Sequence, residues 1–243
     1  MQRLEENSTT AQVIGAIIAY SLCSSTLLLA NKMAMVYLPL PSVVSFIQIV
    51  SSAVIVLAIK FLGVPVDDLD KEKLKSYGLY IVAFVTCIFA NMKALENSNV
   101  ETVIVFRACS PLAVTVVEYF FMDRAWPTLR SSLSLLVVSV GAIIYCLSDS
   151  QIALEGIGAY GWVITYFFLI TFEMTYGKKL TSSVKMDSVW GPVLYCNLLS
   201  ILPMGALGLF SGDFNNVSVY LSSMGLIGWS LLIFSCIVGT LIG

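Results

Sequence analysis

Arg107 is the residue of this sequence best equipped for chemistry. It stands inside an apolar run, Val100 to Phe121, about two turns from the start of that run. A cation at such depth in a membrane costs several kcal/mol unless water, a carboxylate or an anionic ligand meets it, so it must face the interior of a helix bundle. Its planar fork suits the oxygens of a diphosphate. An ion pair with Glu173, in a later apolar run, is an equally good account of it. Glu118 lies on the same helical face as Arg107 but about 16 Å further along at 1.5 Å per residue, too far to pair with it. Lys32 and Lys179 sit near the ends of two other runs. There they serve either as gates or phosphate-attracting funnels or as interfacial side chains reaching for headgroups. Tyr195 and Asn197 are separated by about 200° around a helix, so only one points fully into a cavity unless Gly191-Pro192 bends the helix. Gln48, in the second run, is either interhelical glue or a ligand contact.

Other chemistries are closed to the chain. It contains no histidine, which removes Ser-His and Cys-His catalysis, HExxH zinc sites and histidine proton relays. With no paired intramembrane aspartates either, the sequence does not read as an enzyme. The 13 basic and 15 acidic residues leave a net charge of −2, so no nucleic-acid partner is expected. All six cysteines lie in apolar stretches without a CxxC pair and read as small buried hydrophobes. Neither a metal nor a cofactor is expected.

The elements that must position these residues are membrane helices. Of 243 residues, 58% are hydrophobic and only 12% charged, with a mean hydropathy of +0.90, outside the range of soluble domains. Eight runs are long enough to span about 30 Å of hydrocarbon: approximately 11–31, 41–62, 76–95, 100–121, 131–148, 157–178, 189–210 and 221–243. The side holding the N-terminus receives Arg3, Lys60, Lys71, Lys73, Lys75, Arg124, Arg130, Lys178, Lys179 and Lys185, and the other side only Lys32 and Lys93. That asymmetry makes the N-terminus cytosolic. The fold class expected is an all-α polytopic membrane protein with a cytosolic tail over 1–10.

A weak repeat appears on shifting the chain by about 147 residues. Asn31-Lys32 meets Lys178-Lys179, Ser42-Val43 falls within one residue of Ser188-Val189, and Ser76-Tyr77-Gly78-Leu79 meets Ser223-Met224-Gly225-Leu226. Five spans per copy is an odd number, so the second copy enters from the opposite side. This gives an inverted five-plus-five repeat, 11–148 and 149–243, of the kind used for alternating access. Ten helices are then expected and eight are present, so the chain reads as C-terminally incomplete, lacking its ninth and tenth spans.

Three stretches resemble a known family. Leu28-Leu29-Ala30-Asn31-Lys32 resembles the close of the first helix in nucleotide-sugar transporters of the drug/metabolite transporter superfamily. Asn99 to Arg107, followed by Pro111, is similar to the fourth helix of plant GDP-sugar transporters. Leu194-Tyr195-Cys196-Asn197-Leu198-Leu199-Ser200 resembles a Phe-Tyr-Asn-Asn-Leu-Leu-Ser segment that meets guanine in GDP-mannose transporters, with Leu194 and Cys196 departing from it. The GDP-mannose/GDP-fucose group is the most similar. The resemblance implies a multi-pass Golgi carrier that brings a GDP-sugar into the lumen in exchange for the nucleoside monophosphate. The substrate-binding set it and the residues imply is Lys32, Gln48, Arg107, Lys179, Tyr195 and Asn197. Partners would be the nucleotide sugar and the bilayer, and a homodimer is compatible. The rivals are a sugar-phosphate or organic-anion exchanger, and a truncated, transport-incompetent membrane protein that partners a full-length copy.

Overall fold

Proline, glycine and capping side chains divide the chain into helices. In the computed structural model, which describes residues 2–122, 124–149 and 160–242, every regular element is helical. These are α1 (Gln2–Tyr37), α2 (Pro41–Phe61), α3 (Lys71–Asn97), α4 (Val100–Phe121) and α5 (Leu129–Ser148). They are followed by α6 (Gly161–Ser183), α7 (Trp190–Phe210), a 3-10 turn (Asp213–Asn216), α8 (Val217–Ser223) and α9 (Leu226–Ile242). Pro41 opens α2 with the backbone angle a first helical residue needs. Asp70 caps α3 by accepting from Glu72 N–H at 3.3 Å, and Thr128 caps α5.

Several expected boundaries move. The helix expected from 11 begins at Gln2 and continues to Tyr37, because no helix breaker precedes Pro39; residues 2–10 are therefore helix rather than a separate tail. The cap at Asp70 starts α3 earlier than 76. The run from 221 is broken between α8 and α9 at Met224-Gly225, and residues 157–159 lie outside the described residues. Among the described residues, six helices are long and apolar enough to cross a membrane: Gln12–Tyr37 of α1, then α2, α3, α4, α5 and α7. Against the expected eight, α6 carries Glu173, Lys178 and Lys179 within its length, and the apolar stretch of α9, Leu226–Leu241, is shorter.

Packing centres on α2 against α7. α1 packs on α9 and α3 packs on α6; α9 also meets α2, and α3 also meets α7. α4 leans on α6 and on α5, the latter burying no residue against the rest of the chain. One apolar core joins Leu38, Val43, Met92, Leu95, Val103 and Val163. A second joins Ile49, Tyr77, Ile81, Val85, Tyr195 and Met204.

The two ends of the central pair are closed in the same way. α2 and α7 are each 21 residues long, and each ends on a phenylalanine, Phe61 or Phe210. A left-handed glycine follows each, Gly63 at φ 92° and Gly212 at φ 76°. Beyond Gly63, Asp67 reaches across to the start of α7, where Oδ1 accepts from Asp187 N–H at 3.0 Å and Oδ2 from Ser188 N–H at 2.9 Å. Beyond Gly212, Asp213 Oδ2 accepts from Ser42 N–H at the start of α2 at 3.0 Å. Each helix start is approached by a carboxylate from the loop that follows the other helix, Asp213 on an N–H of the first turn of α2 and Asp67 on two N–H groups just before α7.

Candidate functional site

Polar side chains in the bundle gather around two adjoining cavities. The first, about 160 Å³, lies between α1, α2, α3 and α7, with Asn31, Ser45, Gln48, Ser52, Asn91 and Asn197 as its polar lining. The second, about 150 Å³, lies between α3, α4 and α6 and holds Arg107, Tyr166 and Glu173. They share one wall, the Phe84, Ile88 and Asn91 face of α3. A larger cleft of about 570 Å³ between α4, α5 and α6 is apolar. Its hydroxyls, Ser139 and Thr171, are spent on carbonyls of their own helices, at 3.0 and 2.7 Å. The polar side chains of the bundle are thus concentrated in the adjoining pair.

Arg107 reaches this site from α4. Pro111, four residues on, has no N–H to give the Arg107 carbonyl, so the helix leaves a backbone acceptor open beside the guanidinium. Among the described residues no carboxylate oxygen lies within 4 Å of Arg107. Glu173 lines the same cavity but accepts from the Tyr80 hydroxyl. The ion pair that the sequence offered as an alternative is therefore not formed. Arg107 also borders a cleft between α1 and α4 lined by Ser24 and Ser25. Glu118 pairs instead with Lys178, at 2.9 Å, and Arg124, at 3.6 Å.

The amide half is built by hydrogen bonds between helices. Gln48 Nε2 donates to Asn31 Oδ1 at 2.8 Å and to Ser235 Oγ at 2.9 Å, tying α2 to α1 and α9. Ser52 donates to Thr240 at 2.8 Å. Asn197, buried to 8% exposure, donates to the Val193 carbonyl at 2.9 Å. Because these bonds are made by the amide nitrogens, the carbonyl oxygens of Gln48 and Asn197 are left to accept.

The other expected site residues stand elsewhere. Lys32 donates to the Leu95 and Ser98 carbonyls at 2.5 and 2.9 Å, closing the C-terminal end of α3, where a cation satisfies both the dipole and the orphan carbonyls. Lys179 is exposed near the opposite end of the bundle. Tyr195 was expected to meet the solute, and its geometry runs otherwise. It is fully buried, its hydroxyl accepts from Asp70 N–H and donates to the Asp68 carbonyl, both at 2.7 Å, and its ring lies 5.4 Å from that of Tyr77. The 200° separation decides the matter: α7 turns Asn197 to the cavity and Tyr195 to the α2–α3 loop. Sequence reading passed over Asn91, whose signal was a lone carboxamide within an apolar run, and named Asn31 only for its place in the repeat and in the family resemblance.

Asp67 anchors the same loop. Burial would raise its pKa, but hydrogen bonds from Asp187 N–H, the Lys73 ammonium at 3.1 Å and Ser188 N–H outweigh this and hold the carboxyl below the usual aspartate range. Gly191 makes the approach possible, since a Cβ there would lie 2.4 Å from Asp67 Oδ2.

The chain is similar in sequence to known proteins. No family model matches the chain. It is 34% identical over 207 residues, 85% of its length, to "GDP-fucose transporter 1" of Arabidopsis thaliana, and 28% identical over 208 residues to "GDP-mannose transporter GONST3" of the same plant. It is a homologue of nucleotide-sugar transporters. A third relative, "UDP-galactose/UDP-glucose transporter 7", also from Arabidopsis thaliana, is 23% identical over 241 residues, 97% of this chain. This transporter homologue is most similar to the GDP-sugar group, and it spans 60% and 55% of the length of the first two curated relatives. The matched region takes in most of the bundle that holds the cavities.

Proposed function

We propose that the chain binds a nucleotide sugar of the GDP-mannose or GDP-fucose type and carries it into the Golgi lumen in exchange for the nucleoside monophosphate. The observation that carries this reading is the pair of adjoining cavities, with a guanidinium outside any ion pair in one and a set of carboxamides in the other. A diphosphate brings about two negative charges and acceptor oxygens, which an arginine fork satisfies. The Gln48 and Asn197 oxygens ask for donors, and guanine offers N1–H and its exocyclic amine on one edge. Lys179, exposed at one end, draws the anion in; Lys32 and Tyr195 hold α3 and α7 in place. A sugar-phosphate exchanger would use the cation but would leave the amide half without a partner.

The same reading takes the molecule as an inverted repeat with its N-terminus in the cytosol and with α6 and α9 also crossing the membrane. The packing supports it. Exchanging α1 with α6, α2 with α7 and α3 with α9 turns the α1–α9 contact into α6–α3 and α2–α9 into α7–α3. The Asp67 and Asp213 caps exchange as well.

Purified chain should bind GMP and GDP-mannose or GDP-fucose in detergent, and triose phosphate should not compete. Equal competition by triose phosphate would favour the sugar-phosphate reading. Failure to bind GMP or either GDP-sugar in detergent would remove the nucleotide reading altogether.

A further inference from the structure

Asn91 is the one cavity carboxamide whose oxygen is wholly buried and has no hydrogen-bond partner. A buried acceptor left unmet is costly, so such an atom marks a place where a donor is missing. It is also the polar member of the wall common to the two cavities, with Arg107 in the cavity on one side and Asn197 and Gln48 in the cavity on the other. Its neighbours on that face, Phe84 and Ile88, carry no donor. The order of groups in a nucleotide is fixed by covalent chemistry: base, ribose, phosphate. With phosphate at the guanidinium and base among the amides, the group that passes Asn91 is the ribose. Phosphate oxygens only accept, whereas ribose hydroxyls can donate.

We propose that Asn91 is a specificity-determining residue whose Oδ1 accepts a hydrogen bond from a ribose hydroxyl of the bound nucleotide. The proposal rests on the nucleotide reading of the cavity and adds to it a preference for ribonucleotides over analogues lacking the hydroxyls. Removing the donor leaves Oδ1 buried and unmet again, whereas removing Asn91 makes the two ligands equivalent.

The test is titration of the purified full chain with GMP, with its 2′,3′-dideoxy analogue, and with IMP, which lacks the exocyclic amine. Wild type is expected to bind GMP about tenfold more tightly than the dideoxy analogue, the worth of one satisfied buried hydrogen bond. In Asn91→Ala and in Asn91→Leu, GMP affinity falls to that of the analogue while the analogue's own affinity is unchanged, an outcome a misfolded variant cannot produce. Both variants keeping the tenfold preference, both losing the two ligands alike, or the variants erasing the GMP–IMP difference instead would each overturn the role of Asn91. Wild type binding none of the three would overturn the nucleotide reading itself, a distinguishable failure.

Discussion

An arginine among apolar helices outside any ion pair, with Glu173 lining the same cavity but accepting from Tyr80, is held there at a cost of about 2.5–3.5 kcal/mol on insertion scales, which a bound anion relieves. Arg107→Ala is therefore expected to abolish nucleotide binding while leaving the chain folded, and Arg107→Lys to recover only part, since a point charge cannot grip two oxygens. Ligand-dependent melting with GDP-mannose reads both; an unchanged response in Arg107→Ala would take the diphosphate away from Arg107. Tyr195→Phe should act oppositely. It removes a hydroxyl that bridges Asp70 N–H and the Asp68 carbonyl, so about 1–2 kcal/mol of stability is lost with GMP affinity preserved. The depth of Arg107 was legible because a charge in an apolar run has few explanations. The role of Tyr195 was not, because its partners are backbone groups of a loop far away in sequence.

At the level of the element, the apolar runs and their punctuation were readable because proline, glycine and caps act locally. The extension of α1 to Gln2 was not, since polar helix formers carry no span signal. Asp67 shows how a loop residue sets an element. Its depressed pKa contributes stability that is present above the unfolded-state value near 3.9 and is lost as pH falls through the folded-state value. Melting temperature should hold at neutral pH and drop below about pH 4. Asp67→Asn should lie lower at neutral pH and converge with wild type in acid. Gly191→Ala should resemble Asp67→Asn and add little to it, because both break the same contact. The orientation of the elements is tested by single cysteines on an otherwise cysteine-free chain. Leu69→Cys and Asn215→Cys, in the loops after α2 and α7, should label from opposite faces, the first from the cytosol. Labelling of both from one face would sink the arrangement of spans.

For the whole molecule, the proposed repeat rests in sequence on a handful of matched dipeptides, because few side chains of two such copies would do the same work. Asp67 and Asp213 do, and their equivalence appears once each is seen on the other half's helix start. On the proposed repeat, a contact that crosses between the halves twice, in opposite senses, would make them partners of an antiparallel dimer that share one peptide chain. The two halves are joined covalently between Ser148 and Gly161, and a covalent link raises the effective concentration of one partner at the other. Divided there and expressed as two polypeptides, the halves should assemble where the bilayer is crowded with them and separate as lipid is added. Asp67→Asn and Asp213→Asn, made singly, should each bring on that separation at a smaller lipid dilution.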